Sequence, residues 1–196
     1  MTRAELITEF KRRGYDHIED ARCLLWVEQA YQEVCEERNW PFLEDTDTGT
    51  MPMTISDLRQ ILSVVDTTND YVLSWEDRAN VLRRDPDLND TGSGYVYWLD
   101  NNVVTVHPGD TTSTYSVRFL KVPAALSSDS SEPLIPTRFQ DLIIDGAVYR
   151  ALKDNDEYDN AASLRQIWEA GVQKMADSLL VRQYDTPDFI RVTQEV

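Results

Sequence analysis

Residues 136–152 read PTRFQDLIIDGAVYRAL, and how this stretch is covered decides the fold. It opens with a proline and a capping-box pattern, Thr137 with Gln140 three residues on, so a helix start is well marked. On a helical wheel Phe139, Leu142, Ile143, Ile144, Gly146, Ala147, Val148, Tyr149, Ala151 and Leu152 leave only a thin polar margin. A helix that is apolar almost all round must be covered on most sides. In a short chain that cover has to come from the other helices, or from a neighbouring copy.

Working outward, a polar turn at 154–159 leads to a last long helix that places Leu164, Ile167, Trp168, Gly171, Val172, Met175 and Leu179 on one face. At the other end of the chain Thr2 and Glu5 form a capping box before Leu6, Ile7 and Phe10, and Gly14 stops that first helix. Asp16 is then expected to cap a second helix with the stripe Ala21, Leu24, Val27, Tyr31 and Val34, ending near Asn39 before Pro41. Trp40 and Phe42 flank that proline and close the helical core.

Between these helices the pattern changes to acid-rich turns and β-branched runs. DTDTGT at 45–50 reads as a solvated link, and residues 50–55 and 61–65 read as short strands. Ser74 with Asp77 resembles a cap opening a short helix over residues 75–84. YVYWLDNNVVTVHP at 95–108 is a hairpin, because Asn101-Asn102 tolerates the positive φ of a tight primed turn. That turn sets Trp98 opposite Thr105 and Tyr97 opposite Val106. STYSVRFLK at 113–121 alternates Tyr115, Val117 and Phe119 against Ser116, Arg118 and Leu120, extending the hairpin to a meander. The fold class is therefore α+β: a mainly helical four-helix body from the N- and C-terminal helices, with an inserted small antiparallel β lobe. Its divisions are residues 1–44 and 124–184 for the helical body, 45–123 for the β lobe, and 185–196 for an extended tail carrying Phe189, Ile190 and Val192.

With 196 residues, 41% of them apolar, the chain can bury a real core. Its formal charge of −16, from 35 acidic and 19 basic side chains, repels phosphates and argues against a nucleic-acid grip. Cys23 and Cys35 fall on one expected helix, where twelve residues separate them by roughly 18 Å, too far to pair. Reduced thiols, an N-terminus without an apolar signal core and the lack of a membrane-length apolar run imply a soluble protein made in the cytoplasm.

No catalytic constellation emerges, and no cofactor is implied. His17 and His107 have no ligand-type residue at nearby spacing and read as solvated structural residues. There is no glycine-rich phosphate loop. In DPDLNDTG, Asp85, Asp87 and Asn89 occupy positions one, three and five of a calcium loop, but Asp90 stands where glycine is needed and Val96 where a bidentate glutamate should be. An acidic surface turn is the better reading, so no metal site is expected. The aromatics Trp75, Tyr95, Tyr97, Trp98 and Tyr115 fit cross-strand packing better than a stacking platform.

The order of features resembles the head-to-tail adaptor proteins of tailed bacteriophages. The resemblance is carried by Asn39-Trp40-Pro41-Phe42, by the 95–108 hairpin and by PLIPTRFQDLIIDGAVYRALKDNDEYDNAASLRQIWEAGVQKM at 133–175. Pro136, Phe139, Asp141, Leu142 and Ile143, then the acidic turn and the helix with Trp168 and Met175, match best. It covers residues 2–180 and stops short of the tail after Tyr184. What it implies is a non-enzymatic virion part made in the host cytoplasm: a dodecameric ring at the neck, below the portal protein. Such a ring continues the channel through which genome DNA passes without specific binding, and it meets tail or neck proteins but no membrane. Alternatives are another neck or tail-completion protein, or a carbohydrate-binding accessory protein using the aromatic β lobe. On the ring reading, the stripe Ile144, Ala147, Val148 and Ala151 is expected to be incompletely covered in a single chain, and the tail residues Phe189, Ile190 and Val192 to dock on a neighbouring subunit or the portal.

Overall fold

The computed structural model describes residues 1–109 and 112–184, with side chains as far as residue 180. Among them are the helices α1 (Arg3–Phe10), α2 (Asp20–Glu36), α3 (Arg78–Arg84), α4 (Asp141–Asp154) and α5 (Tyr158–Tyr184). The strands are β1 (Glu44–Gly49), β2 (Met53–Thr54), β3 (Leu58–Asp66), β4 (Tyr71–Val72), β5 (Ser74–Trp75), β6 (Val96–Asp100), β7 (Val103–His107) and β8 (Tyr115–Lys121). The class is α+β. The chain divides into two compact units, one of Met1–Phe42 with the chain from Ala125 onward, the other of Leu43–Ala124.

In the first unit α4 is central, packed against α2, α5 and the shorter α1. Its cover comes from within the chain: Leu142, Ile143, Ile144, Gly146, Ala147 and Ala151 are buried. Gly146 lets two neighbours close in together. A methyl group there would stand 2.9 Å from the Ala30 Cβ of α2 and 3.1 Å from the Trp168 Nε1 of α5. The Trp168 indole, 2% exposed, donates to the Leu142 carbonyl at 3.0 Å. Gly171 of α5 leaves the matching gap, since a methyl there would lie 2.4 Å from the Leu142 Cδ2. α4 ends where Asp156 turns left-handed at φ 61° and the Glu157 N–H returns to the Leu152 carbonyl.

Several helix boundaries differ from the sequence reading. The four-helix body is not confirmed as such: among the described residues are five α-helices, of which α3 lies in the unit of the strands and the others are unequal around α4. The Thr2–Glu5 capping box forms, whereas Thr137 and Gln140 make none. Pro136 leads into a single 3-10 turn, and the buried Gln140 side chain instead donates to the Ile135 carbonyl and accepts from the Met1 amino group. After α1 the chain passes through a wide turn, Lys11–Tyr15, that Gly14 breaks at φ 108°. α2 starts at Asp20, not at Asp16, and its buried stripe is Cys23, Trp26, Val27, Ala30, Tyr31, Val34 and Cys35, with Ala21 exposed and Leu24 half-buried. Trp40 closes this end, fully buried, with its indole donating to the Val34 carbonyl at 2.6 Å and its ring stacked on Phe42. The serine-rich loop 127–131 tops α1, where the Arg3 and Ala4 N–H groups donate to the Ser131 and Asp129 carbonyls.

The second unit holds two four-stranded sheets, ordered β1-β8-β3-β4 and β2-β7-β6-β5. The hairpin has the expected register, Tyr97 opposite Val106 and Trp98 opposite Thr105, with Asn101 and Asn102 at φ 47° and 67°. The meander does not form, because β8 lies between β1 and β3 in the other sheet. From there Tyr115, Val117 and Phe119 enter the same core as Tyr97, Val104 and Val106, so the crossover buries the apolar face of β8 between two sheets. DTDTG is not a link but most of β1, an edge strand held through its ladder to β8 and through Arg118–Glu44 and Lys121–Asp45 ion pairs. Backbone pairing needs no apolar side chains, which is why hydropathy passes it over. Residues 74–75 are a strand, and Asp77 alone caps α3 by accepting the Ala79 N–H at 2.7 Å.

Gly146→Ala tests the central contact. Overpacking costs about 1–3 kcal/mol, against a helix-propensity gain of about 1 kcal/mol. The variant is predicted to unfold at lower urea with an unchanged slope, and a raised midpoint would show that α2 and α5 do not close on this position.

Candidate functional site

The helical unit carries one broad polar groove, about 700 Å³ in volume, lined by α2, α4 and α5. Glu33 anchors it. Its carboxylate receives hydrogen bonds from Arg150 of α4 and Arg165 of α5, so a single acid on α2 ties three helices. Arg150 also donates to the Gly146 carbonyl at 3.0 Å and to the Gln29 carbonyl at 3.3 Å. Arg165 donates to Glu169 at 2.8 Å, and its guanidinium lies over the Trp168 ring at 4.4 Å. Burial pushes the Glu33 carboxyl up, but the bonds from Arg165 and Arg150 outweigh it and hold the group below the usual carboxylate range. Arg165 is likewise lowered by burial and raised more strongly by Glu33 and Glu169, a net upward shift that keeps it charged. At the far end of the groove Asp154 accepts from Arg22 at 2.5 Å and from the Trp26 indole at 3.2 Å.

Exposed apolar side chains stand on the same helices: Leu25 on α2, and Tyr158 and Ile167 on α5, the last 62% exposed. Ile167 was expected on the buried face with Trp168, but neighbours along a helix point about 100° apart, and the core takes Trp168. The stripe Ile144, Ala147, Val148 and Ala151 corrects in the opposite sense. Ile144, Ala147 and Ala151 have no exposed surface, and Val148 is half-buried. Phe189, Ile190 and Val192 lie outside the described residues.

In the β unit the five aromatics do not share a platform. Tyr97, Trp98 and Tyr115 are core, while Trp75 and Tyr95 are exposed. Asp87 and Asn89 are exposed, and Val96 is a buried residue of β6, so the calcium-loop register is not built. His107 is buried, not solvated, and its Nε2 lies 3.7 Å from the Asp85 Oδ2. Asp85 precedes it by 22 residues, a separation that a search for nearby ligand spacing cannot find. Cys23 and Cys35 are buried and form no disulfide. No helix among the described residues is long and apolar enough to cross a membrane.

The model of the family described as SU10 adaptor protein matches residues 1–192. It therefore runs past Tyr184, where the resemblance read from the sequence had stopped. No curated protein matches the chain.

The Glu33 knot gives a pH prediction. A carboxyl held low in the folded state adds stability that is fully present above its unfolded value, about 4.3, and is lost as pH falls through the lower folded value. Glu33→Gln is predicted to cost about 1 kcal/mol at pH 7, and the difference from the parent should be smaller at pH 3. Urea midpoints of both proteins at the two pH values check this; a gap independent of pH rejects it.

Proposed function

The chain belongs to the SU10 adaptor protein family of phage head-to-tail adaptors, and from that premise we propose that it forms a ring between the portal and the tail that continues the DNA channel. The carrying observation is the family match over residues 1–192. It makes the protein a structural adaptor of the virion. Ring formation, portal contact and the conduit belong to the proposal.

Two physical features support it. A charge of −16 suits a wall past which DNA slides without adhering. The helical unit displays Leu25, Tyr158 and Ile167 beside a charged groove, a mixture of apolar anchors and polar rim found at subunit contacts. The buried α4 stripe lends no support, since Ile144, Ala147 and Ala151 are satisfied inside the chain. Subunit contact is assigned instead to this outer face of α2 and α5. The tail, through Phe189, Ile190 and Val192, is proposed to reach a neighbouring subunit or the portal. A carbohydrate-binding role is weakened because three of its five aromatics are core.

Electron microscopy of the purified protein, alone and mixed with portal-bearing heads, tests the reading. Rings or portal-bound collars are expected; a protein that binds only further down the neck would make it a tail-completion part. Deleting residues 185–196 is predicted to leave the circular-dichroism spectrum unchanged while weakening collar formation, and undiminished collars would reject the role of the tail.

A further inference from the structure

The loop after α3 and the end of β7 meet at a cluster that no adaptor role calls for. Asp85 follows Arg84, the last residue of α3, and its Oδ2 accepts the Asp90 N–H at 2.9 Å, curling residues 85–90 into a tight loop. The Gly109 N–H donates to the Asp90 carbonyl at 3.3 Å, and Thr91 bridges Gly109, which holds the loop against the strand end that carries His107. The outcome is that one ligand-type atom from each of Asp85, Asp90 and His107 falls within 4.8 Å of the others.

The imidazole separates this cluster from an ordinary acidic turn. The His107 side chain is 5% exposed and that of Asp85 is 11% exposed, while Asp90 is open to solvent. The His107 Nε2 lies 3.7 Å from the Asp85 Oδ2, longer than a hydrogen bond. Trp98 covers the His107 ring at a centroid distance of 6.4 Å. A cation between the three side chains would draw on the imidazole nitrogen and offset the crowding of two carboxylates.

We propose that Asp85, Asp90 and His107 form a divalent transition-metal site in the β unit, with zinc the preferred ion. One imidazole and two carboxylates suit zinc, whereas calcium takes oxygen ligands only. Bond lengths of about 2.0–2.2 Å bring the ligand atoms closer than they now stand, by about 1 Å, within reach of rotating the exposed Asp90 side chain. Three protein ligands leave a fourth position for water. The ion would pin the loop after α3 to the end of β7, across residues far apart in sequence.

The test is calorimetric titration of zinc into the full-length chain after removal of metal by a chelator, with thermal unfolding measured in parallel. One zinc per chain and a raised Tm are expected, with magnesium giving neither. His107→Gln should abolish the binding. Because His107 is buried and its loss can unfold the lobe, Asp90→Asn is the decisive variant. It should weaken zinc by about tenfold or more while leaving the metal-free Tm unchanged, and Asp87→Asn in the same loop should leave the affinity as it was. Absence of one-to-one zinc binding, or binding that Asp90→Asn does not weaken, overturns the site.

Discussion

The helical unit depends on one close approach. At Gly146 the absence of a side chain lets Ala30 of α2 and Trp168 of α5 reach the backbone of α4 from two directions, and the Trp168 indole fixes the depth of contact through the Leu142 carbonyl. Everything around this point follows from how near the helices come. Small residues on α4, Ala147 and Ala151, continue the contact without holding the neighbours off. Glu33, Arg150 and Arg165 close over its outer side, and Arg150 returns to the Gly146 carbonyl itself. Burying one tryptophan in such a place is worth about 3–5 kcal/mol, a large part of the margin by which a domain of this size is folded.

Those parts of the fold that hydropathy and turn chemistry govern were legible in the sequence. The Asn101-Asn102 turn fixes the hairpin register because a tight primed turn demands positive φ, and few residues accept it. The Thr2–Glu5 cap is also local, because its two reciprocal hydrogen bonds close within three residues. What was not legible was set by distant partners. β1 has too little apolar character to signal a strand and is made by its ladder to β8. β8 itself announces a buried face but not which sheet will bury it. The α4 helix announces that it must be covered but not by whom, so Gly146 could be read as a close approach while Ile144, Ala147 and Ala151 were wrongly left open to a neighbour. His107 is the sharpest case, because its environment is created by a loop that folds back from residues 85–90.

The distribution of charge matters more to an adaptor than any single site. Several arginines of this acidic chain are already engaged inside it: Arg3 with Asp129, Arg22 with Asp154, Arg78 with Asp100, and Arg150 and Arg165 with Glu33. Each such pair uses up a cation, and the 35 acidic against 19 basic side chains leave a surplus of carboxylates. That surplus fits the proposed conduit, past which DNA would slide without being held.

The sheet edge formed by β1 bears on how copies of the chain can be crowded without fusing. One side of that strand is occupied by β8; on the other, backbone groups that could accept a foreign strand lie along the sequence EDTDTG. A second copy offering the same edge would bring carboxylate against carboxylate, and this repulsion discourages strand addition. In the proposed ring, subunits at high local concentration would thereby be steered towards side-chain contacts, which can be remade, and away from continuous sheet, which cannot easily be undone.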